Sequence, residues 1–381
     1  MKKLFIILIL FSGLLALLFG ACKESYDAPV KSTNNSYLVV EGFINNGPDS
    51  TFINLTHTFK LDDTSRVTPE LRAKVTVEGK SNGSYPLQEW GGGVYGVPSL
   101  ALNTAQQYRL HILTAAGKEY VSDYLDLKTS PPIDSISWRR TAAGDVQIYA
   151  NTHDPQNASH YYRWDYQETW EFNSAFYASI QYVNHKITGL FPNPYYTCWK
   201  HASSTNILLA SSTKLSTDEI SLAPLVAIPN GSWELAIRYS ILVRQYVLTA
   251  DAYNFWLQMQ KNTEQIGSIF SPQPSEPKGN VHSLKDPTEQ VIGFVSAGTL
   301  QQKRIFITPD QIPGWHSDPY FDCGLQNIPQ DSLEYYLGGF AYNLPVDQLP
   351  PGLGPPRFHI ADAPCVNCTL TGTNIKPPYW P

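Results

Sequence analysis

Charge is scarce in this sequence, and no stretch of it concentrates positive charge. Charged residues make up 16% of the 381 residues, whereas soluble domains usually carry roughly 25%. The 27 basic residues are outnumbered by 33 acidic residues, which gives a formal net charge of −6. Binding to nucleic-acid phosphates needs a concentrated positive patch, and none is visible, so we expect no nucleic-acid partner.

Motifs of the common enzyme classes are also missing. The sequence has no Gly-x-Ser-x-Gly, no His-Glu-x-x-His, no phosphate loop and no dinucleotide-binding glycine pattern. The glycine run at 91–93 is followed by neither a helix pattern nor a Lys-Ser/Thr pair, so it predicts a turn. His153-Asp154 and His316–Asp318 are too small to indicate a metal site. We therefore expect no enzymatic activity, no metal and no cofactor.

One aromatic segment, HYYRWDYQETWEF at 160–172, raises the question of a ligand site. Aromatics reach 13% of the chain, which a β-rich fold explains in general, but rings can also serve as stacking surfaces. Asp165, Glu168 and Glu171 lie among the rings, and a strand would place Asp165 and Glu171 on one face. Spaced acids on an exposed strand are more typical of a solvated face than of a glycosidase. The candidates for ligand contact are Trp164, Tyr166 and Trp170.

Long apolar runs are absent beyond the first residues. Two lysines precede an apolar run from Leu4 to Phe19, and small Gly20-Ala21 follow it. A positive start, an apolar core and small residues at its end are typical of a secretory signal. The run is shorter than the roughly 20 residues that a membrane-spanning helix needs. We expect residues 1–21 to be a signal peptide.

The end of this segment resembles a bacterial lipobox, in which the cysteine thiol carries acyl chains and becomes the mature N-terminus. Cys22 follows the small residues, although Phe19 stands where leucine is usual. Lys23-Glu24-Ser25 resembles the charged tag that routes Bacteroidota lipoproteins to the outer face of the outer membrane. We expect a lipid anchor on Cys22 and display at the cell surface. The alternative is a secreted protein with a chance cysteine there.

Cysteine is otherwise rare, and its spacing leaves the pairing open. An even number of cysteines in an exported chain predicts disulfides, and four cysteines can pair in three ways. A zinc site would want a second Cys-x-x-Cys or a histidine pair, and a redox Cys-x-x-Cys would begin a helix. We favour structural disulfides over free thiols or a metal, and closing a long loop is worth roughly 3–5 kcal/mol. The four residues are Cys198, Cys323, Cys365 and Cys368.

Strand patterns and proline breaks predict two β domains after a polar tether at 22–36. Short alternating segments such as AKVTVEG, joined by turn residues, predict an antiparallel β-sandwich at 37–130, Ig-like or prealbumin-like. The Pro131-Pro132 pair interrupts the pattern, so we place the boundary there. Residues 131–381 predict a larger β-rich domain with a disulfide-tied tail. The fold class is therefore mainly β.

One amphipathic helix interrupts the β pattern, in LTADAYNFWLQMQKNTEQIG. Thr249 is suited to cap its start, Asp251 to favour the first turn, and Gly267 to end it. Tyr253 and Trp256 lie on one stripe at helical spacing. Such a stripe is more typical of a core face than of a cofactor site.

Several stretches together resemble one family, the Bacteroidota outer-membrane lipoproteins of the domain-of-unknown-function family 4249. They are residues 237–256, 267–283 and 365–381, with VIGFVSAG before KRIFI and Cys198-Trp199 in support. The resemblance implies a β-sandwich first domain and a larger β domain. It also implies a TonB-dependent outer-membrane receptor as partner, and it assigns no catalytic residues.

These observations lead us to expect a non-catalytic outer-membrane lipoprotein that assists a TonB-dependent transporter by capturing a nutrient or binding a partner. Two alternatives stay open. One is a surface hydrolase with an unrecognised site, and the other is a structural or assembly factor of the outer membrane. No residue pattern names the ligand.

Overall fold

Strands make up most of the regular structure in the residues that the computed structural model describes, which are 36–59, 67–264, 277–317, 322–338, 342–350, 352 and 354–381. This confirms the prediction of a mainly β protein. The predicted signal peptide at 1–21, Cys22 and nearly all of the tether lie outside the described residues.

The described ranges form 24 strands and three α-helices. The first eight strands are β1 Leu38–Asn45, β2 Thr51–His57, β3 Thr68–Pro69, β4 Lys74–Gly79, β5 Ser84–Gly91, β6 Val94–Val97, β7 Tyr108–Leu113 and β8 Glu119–Ser122. The next nine are β9 Ile133–Arg140, β10 Val146–His153, β11 Tyr161–Asn173, β12 Ile180–Val183, β13 Lys186–Gly189, β14 Thr197–Ser203, β15 Leu208–Ser211, β16 Glu219–Ile228 and β17 Arg238–Val247. The rest are β18 Val281–Ser283, β19 Val291–Ile292, β20 Val295–Gly298, β21 Gln301–Ile307, β22 Gln326–Pro329, β23 Asn343–Gln348 and β24 Arg357–Asp362. The helices are α1 Ala250–Glu264, α2 Leu333–Leu337 and α3 Ala363–Val366.

The N-terminal strands form the predicted antiparallel sandwich. Their order is β8-β7-β4-β5-β6-β2-β1, with β3 beside β2. The first part of β5 pairs with β4 and its last part with β6, so the path folds over and both halves share one core. On β4, Val75 and Val77 are buried and Thr76 is only partly buried, as the alternation predicts. Other members of this core are Val40, Ile53, Leu55, Tyr95, Leu110 and Ile112.

A second pair of sheets follows. The sheet β16-β10-β9 packs on the sheet β14-β11-β17-β21, in which β15 also pairs with β11. Ile148 of β10, Trp164 of β11 and Ile241 of β17 lie in their common core. A third sheet, β22-β24-β23, packs with the hairpin β12-β13 and with α2 and α3 around two smaller cores.

The segment from β18 to β20 returns to the first sheet. β18 pairs with β8, while β19 and β20 run parallel to β1. The segment predicted as the second domain, 131–381, therefore also supplies three strands to the N-terminal sandwich. These strands are only two to four residues long, so their pattern cannot tell which sheet they join.

Helix α1 confirms the predicted amphipathic element and connects the two parts. The backbone N–H of Ala252 donates to the Thr249 hydroxyl at 3.2 Å, as expected of an N-cap. The Phe255 ring packs 5.4 Å from the Phe294 ring of the returning segment, and the Tyr253 ring packs 4.9 Å from the Tyr161 ring of β11. Tyr253 of the stripe is thus a packing contact, and Gly267 lies outside the described residues.

Two disulfides tie the C-terminal tail, as the cysteine count predicts. Cys198 pairs with Cys368 across 170 residues, and Cys323 pairs with Cys365 across 42 residues. The two cysteines of the Cys-x-x-Cys motif therefore bind different partners. The tail also pairs with β14, where the backbone groups of Trp199 and Thr373 exchange hydrogen bonds.

Removing the disulfides should destabilise the fold according to the loop that each one closes. We expect replacement of Cys198 and Cys368 by alanine to lower the free energy of unfolding by roughly 5 kcal/mol, and replacement of Cys323 and Cys365 by roughly 4 kcal/mol. Urea denaturation of both double variants, compared with the parent protein under non-reducing conditions, measures this. Unchanged stability in the first double variant would contradict the pairing.

Replacement of Gly293 should show how tightly the returning segment lies against β1. Gly293 has φ +129°, and a Cβ there would lie 1.9 Å from the carbonyl oxygen of Val40. Gly117, with φ +77° and no atom within 4 Å of an added Cβ, is the control. We expect Gly293→Ala to cost roughly 2–5 kcal/mol, because steric displacement adds to backbone strain, and Gly117→Ala only about 1–2 kcal/mol. Equal losses in thermal or urea unfolding would argue against the close approach.

Candidate functional site

The predicted aromatic contacts lie inside the core. Trp164, Tyr166 and Trp170 are 2%, 7% and 5% exposed, and the Trp164 indole N–H donates to Gln245 Oε1 at 3.0 Å. Successive residues on a strand point to opposite faces. The even-numbered rings of β11 therefore pack against the facing sheet, and no exposed stacking surface forms from them. Alternation alone could not tell which set faces inward.

The opposite face of β11 carries a charged cluster centred on Asp165. Arg244 lies directly across on β17, and its Nε donates to Asp165 Oδ1. The Tyr246 hydroxyl donates to Asp165 Oδ2 at 2.8 Å, and a terminal nitrogen of Arg163 lies 3.6 Å from the same oxygen. One carboxylate thus orients two guanidinium groups.

Aromatic rings hold Arg163 in place. Its guanidinium carbon lies 4.1 Å from the centre of the Trp256 ring of α1 and 5.0 Å from the centre of the Tyr246 ring. Cation–π contacts of this kind contribute about 0.5–2 kcal/mol. The Arg163 side chain is 25% exposed, and in the described part of the chain no acceptor lies within hydrogen-bond distance of it. The group is fixed in position with its donors unused.

These residues form one wall of a cleft of about 520 Å³. Such a volume falls in the range of about 300–1,000 Å³ that is usual for ligand sites. The N-terminal sandwich supplies the other wall, with Glu41 and Phe43 of β1 and Asp49 of the following turn. The Gln302 amide of β21 donates to Asp49 Oδ2 at 2.7 Å and so links the two walls. Further lining residues are Asn54, Val94, Leu248, Phe294, Ser296 and Leu300.

The electrostatics of the cleft keep Arg244 charged. Burial lowers the pKa of the Arg244 guanidinium, but the charge of Asp165, the neighbouring Tyr246 and the hydrogen bond to Asp165 together raise it by more, so the net shift is upward. Burial also raises the pKa of the Tyr246 hydroxyl, with the Asp165 charge acting in the same direction. Tyr246 therefore remains a neutral hydrogen-bond donor at physiological pH, and Asp165 accepts from both groups.

The three predicted acids do not converge. Asp165 and Glu171 share a face of β11, as predicted, but six residues of strand separate them by about 20 Å. Inverting glycosidases hold their two carboxylates about 6.5–9.5 Å apart. Glu171 instead accepts a hydrogen bond of 2.8 Å from the Trp380 indole, and Glu168 accepts one of 2.6 Å from the Tyr239 hydroxyl. Glu171 therefore holds the C-terminal tail and Glu168 bonds to a core residue, so these acids do not form a shared site.

The histidine pairs also serve local contacts. His153 Nδ1 lies 2.8 Å from a carboxylate oxygen of Asp134 on the neighbouring strand. No group of three or more metal-ligating side chains occurs in the described ranges. His316 is described, whereas Asp318 is not.

The protein is built from packed β-sheets, and two disulfides tie its C-terminal tail. A family model described as "Domain of unknown function (DUF4249)" matches residues 23–304, which is more than half of the chain. The chain belongs to this family, as the sequence resemblance predicted. No curated protein matches the chain.

Two solved structures are similar to this chain only at a low level. A chain titled as a cytokine receptor complex is 12% identical, with a TM-score of 0.18, and the match covers 56% of this chain and 91% of the other. A segment of two fibronectin type-III domains from chicken tenascin is 10% identical, with a TM-score of 0.17 and coverage of 56% and 93%. Neither likeness carries an argument about function.

Two observations bear on the compartment. The described residues contain no helix long and apolar enough to cross a membrane. Both disulfides are of the kind that persists in oxidising surroundings outside the cytoplasm.

Replacing Glu168 should make stability less dependent on pH. Burial raises the pKa of the Glu168 carboxyl, and the hydrogen bond from Tyr239 lowers it by less. The folded protein therefore binds this proton more tightly than the unfolded chain does, and its stabilising effect is lost as the pH rises through the raised pKa. We expect Glu168→Gln to be more stable than the parent protein at pH 7, with the difference disappearing below the ordinary carboxyl range.

Urea denaturation at pH 7 and at pH 3.5 measures the effect, and Glu89→Gln, at an exposed residue of β5, is the control. A variant less stable than the parent at pH 7 would show that the charged form of Glu168 is the stabilising one.

Proposed function

We propose that the protein is a non-catalytic outer-membrane lipoprotein that captures a ligand in its cleft as an accessory to a TonB-dependent transporter. The observation that carries the binding role is the fixed Arg163 guanidinium, which faces a cleft of about 520 Å³. No acceptor among the described residues lies within hydrogen-bond distance of this guanidinium. Polar groups that are held in place with unused donors are typical of a binding site.

The arrangement favours binding because the folded protein already holds both arginine side chains in place before a ligand binds. Trp256 and Tyr246 hold Arg163, and Asp165 holds Arg244. Immobilising a long side chain during association costs about 0.5–1.5 kcal/mol. A ligand that meets these arginines does not have to order them. No nucleophile paired with a base occurs among the described residues that line the cleft, which favours binding over catalysis.

The proposed location rests on the sequence pattern around Cys22. Acyl chains on that residue would confine the protein to the membrane surface and raise its effective concentration near a transporter barrel. The disulfides support an oxidising compartment. The transporter itself enters through the resemblance described for residues 237–256, 267–283 and 365–381.

Isolation of the native complex tests this proposal. We expect the tagged protein, extracted from its own membranes with mild detergent, to recover a TonB-dependent barrel that mass spectrometry identifies. Cys22→Ala is the matched control, because without acyl chains the protein should leave the membrane fraction and recover less of the barrel. Recovery without any barrel, under conditions that preserve other receptor–lipoprotein pairs, would sink the accessory role.

A further inference from the structure

On the cleft wall formed by β11 and β17, two arginines have N–H donors that make no hydrogen bond with a described residue. A guanidinium group has five N–H donors. Arg244 engages Asp165 through Nε alone, and its terminal nitrogens have no hydrogen-bond acceptor in the described ranges. Arg163 reaches the same carboxylate only at 3.6 Å. Two positive charges therefore share one counter-charge, and their unused donors match an incoming carboxylate.

The opposite wall carries unused negative charge. Glu41 is exposed on β1, and its carboxylate makes no hydrogen bond or ion pair with any described residue. Asp49 accepts from Gln302 through Oδ2 only, which leaves its other oxygen available. Neither acid lies within ion-pair distance of Arg163 or Arg244, whose carboxylate contact in the described residues is Asp165. The cleft thus separates opposite charges instead of pairing them.

We infer that the cleft binds a short peptide with free ends, its carboxylate on Arg163 and Arg244 and its ammonium group on Glu41 and Asp49. This inference rests on the proposed binding function and names the ligand class. A simple anion would meet repulsion from Glu41 and Asp49, and a simple cation would meet repulsion from the arginines. A zwitterion matches both walls at once.

The rest of the lining suits peptide side chains. Phe43, Val94 and Phe294 offer apolar surface, and the Asn54 amide can pair with a peptide backbone. The hydroxyl of Ser296 is buried and has no hydrogen-bond partner in the described part of the chain. A volume of about 520 Å³ accommodates more than one amino acid. A mixed lining of this kind favours ligands of varied sequence with defined ends.

Tripeptides of mixed sequence test the inference, offered to the full mature protein in three forms: with free ends, with an amidated carboxyl end, or with an acetylated amino end. Equilibrium dialysis with mass spectrometry gives the affinity for each form. We expect the free form to bind at least tenfold more tightly than either blocked form.

Two variants test which wall of the cleft binds which end of the tripeptide. Arg163→Gln should weaken binding of free tripeptides by roughly 10- to 100-fold and leave the amidated form unchanged. Glu41→Gln should weaken the free form and leave the acetylated form unchanged. Arg139→Gln, an exposed arginine on β9 outside the cleft, is the matched control. Because the Glu41 carboxylate makes no hydrogen bond or ion pair with a described residue, its variant tests the inference even if Arg163→Gln unfolds.

Equal binding of free and blocked tripeptides, or no binding at all, would overturn the peptide assignment. The transporter pull-down separates this failure from failure of the proposed function. If the pull-down recovers a barrel but the protein binds no peptide, only the proposed ligand class is wrong. If the protein binds peptide but the pull-down recovers no barrel, the ligand class is supported and the accessory role is wrong.

Discussion

Strand β11 must bury one set of its side chains between two packed sheets, and that requirement determines which residues form one wall of the cleft. Burying Tyr162, Trp164 and Tyr166 removes large apolar surface from water, at about 25 cal/mol per Å². The intervening residues then have to face the other way. Arg163 reaches the cleft, and Asp165 lies beside it on the same face, because their neighbours belong to the core.

The second wall depends on long-range chain topology. β20 lies against β1 in the first sheet, and after two residues β21 lies against β17 in the second. This connection is held by hydrogen bonds from the Leu300 backbone to the Asn45 side chain and from the Thr299 backbone to Lys128. Helix α1 packs in the same corner and brings Trp256 over Arg163. Residues far apart in sequence therefore form one site.

Local patterns were enough to predict the β class, the N-terminal sandwich, helix α1 and the existence of disulfides. Each of these depends on short-range periodicity, capping or composition, as with Val75 and Val77 of β4 or Thr249 before α1. The site was not predictable in this way. Trp164 and Arg163 are equally plausible as ligand contacts until the position of the facing sheet is known. Glu41 can be recognised as a cleft residue only when the opposite wall is known. The disulfide partners likewise depend on how the tail returns to β14.

The two-residue connection between β20 and β21 has a consequence for selectivity. Both walls are joined by one short stretch of backbone, and Gln302 bridges to Asp49, so these two links oppose separation of the walls. In the proposed binding role, a ligand that contacts both walls would therefore have to match the spacing that this connection sets between them.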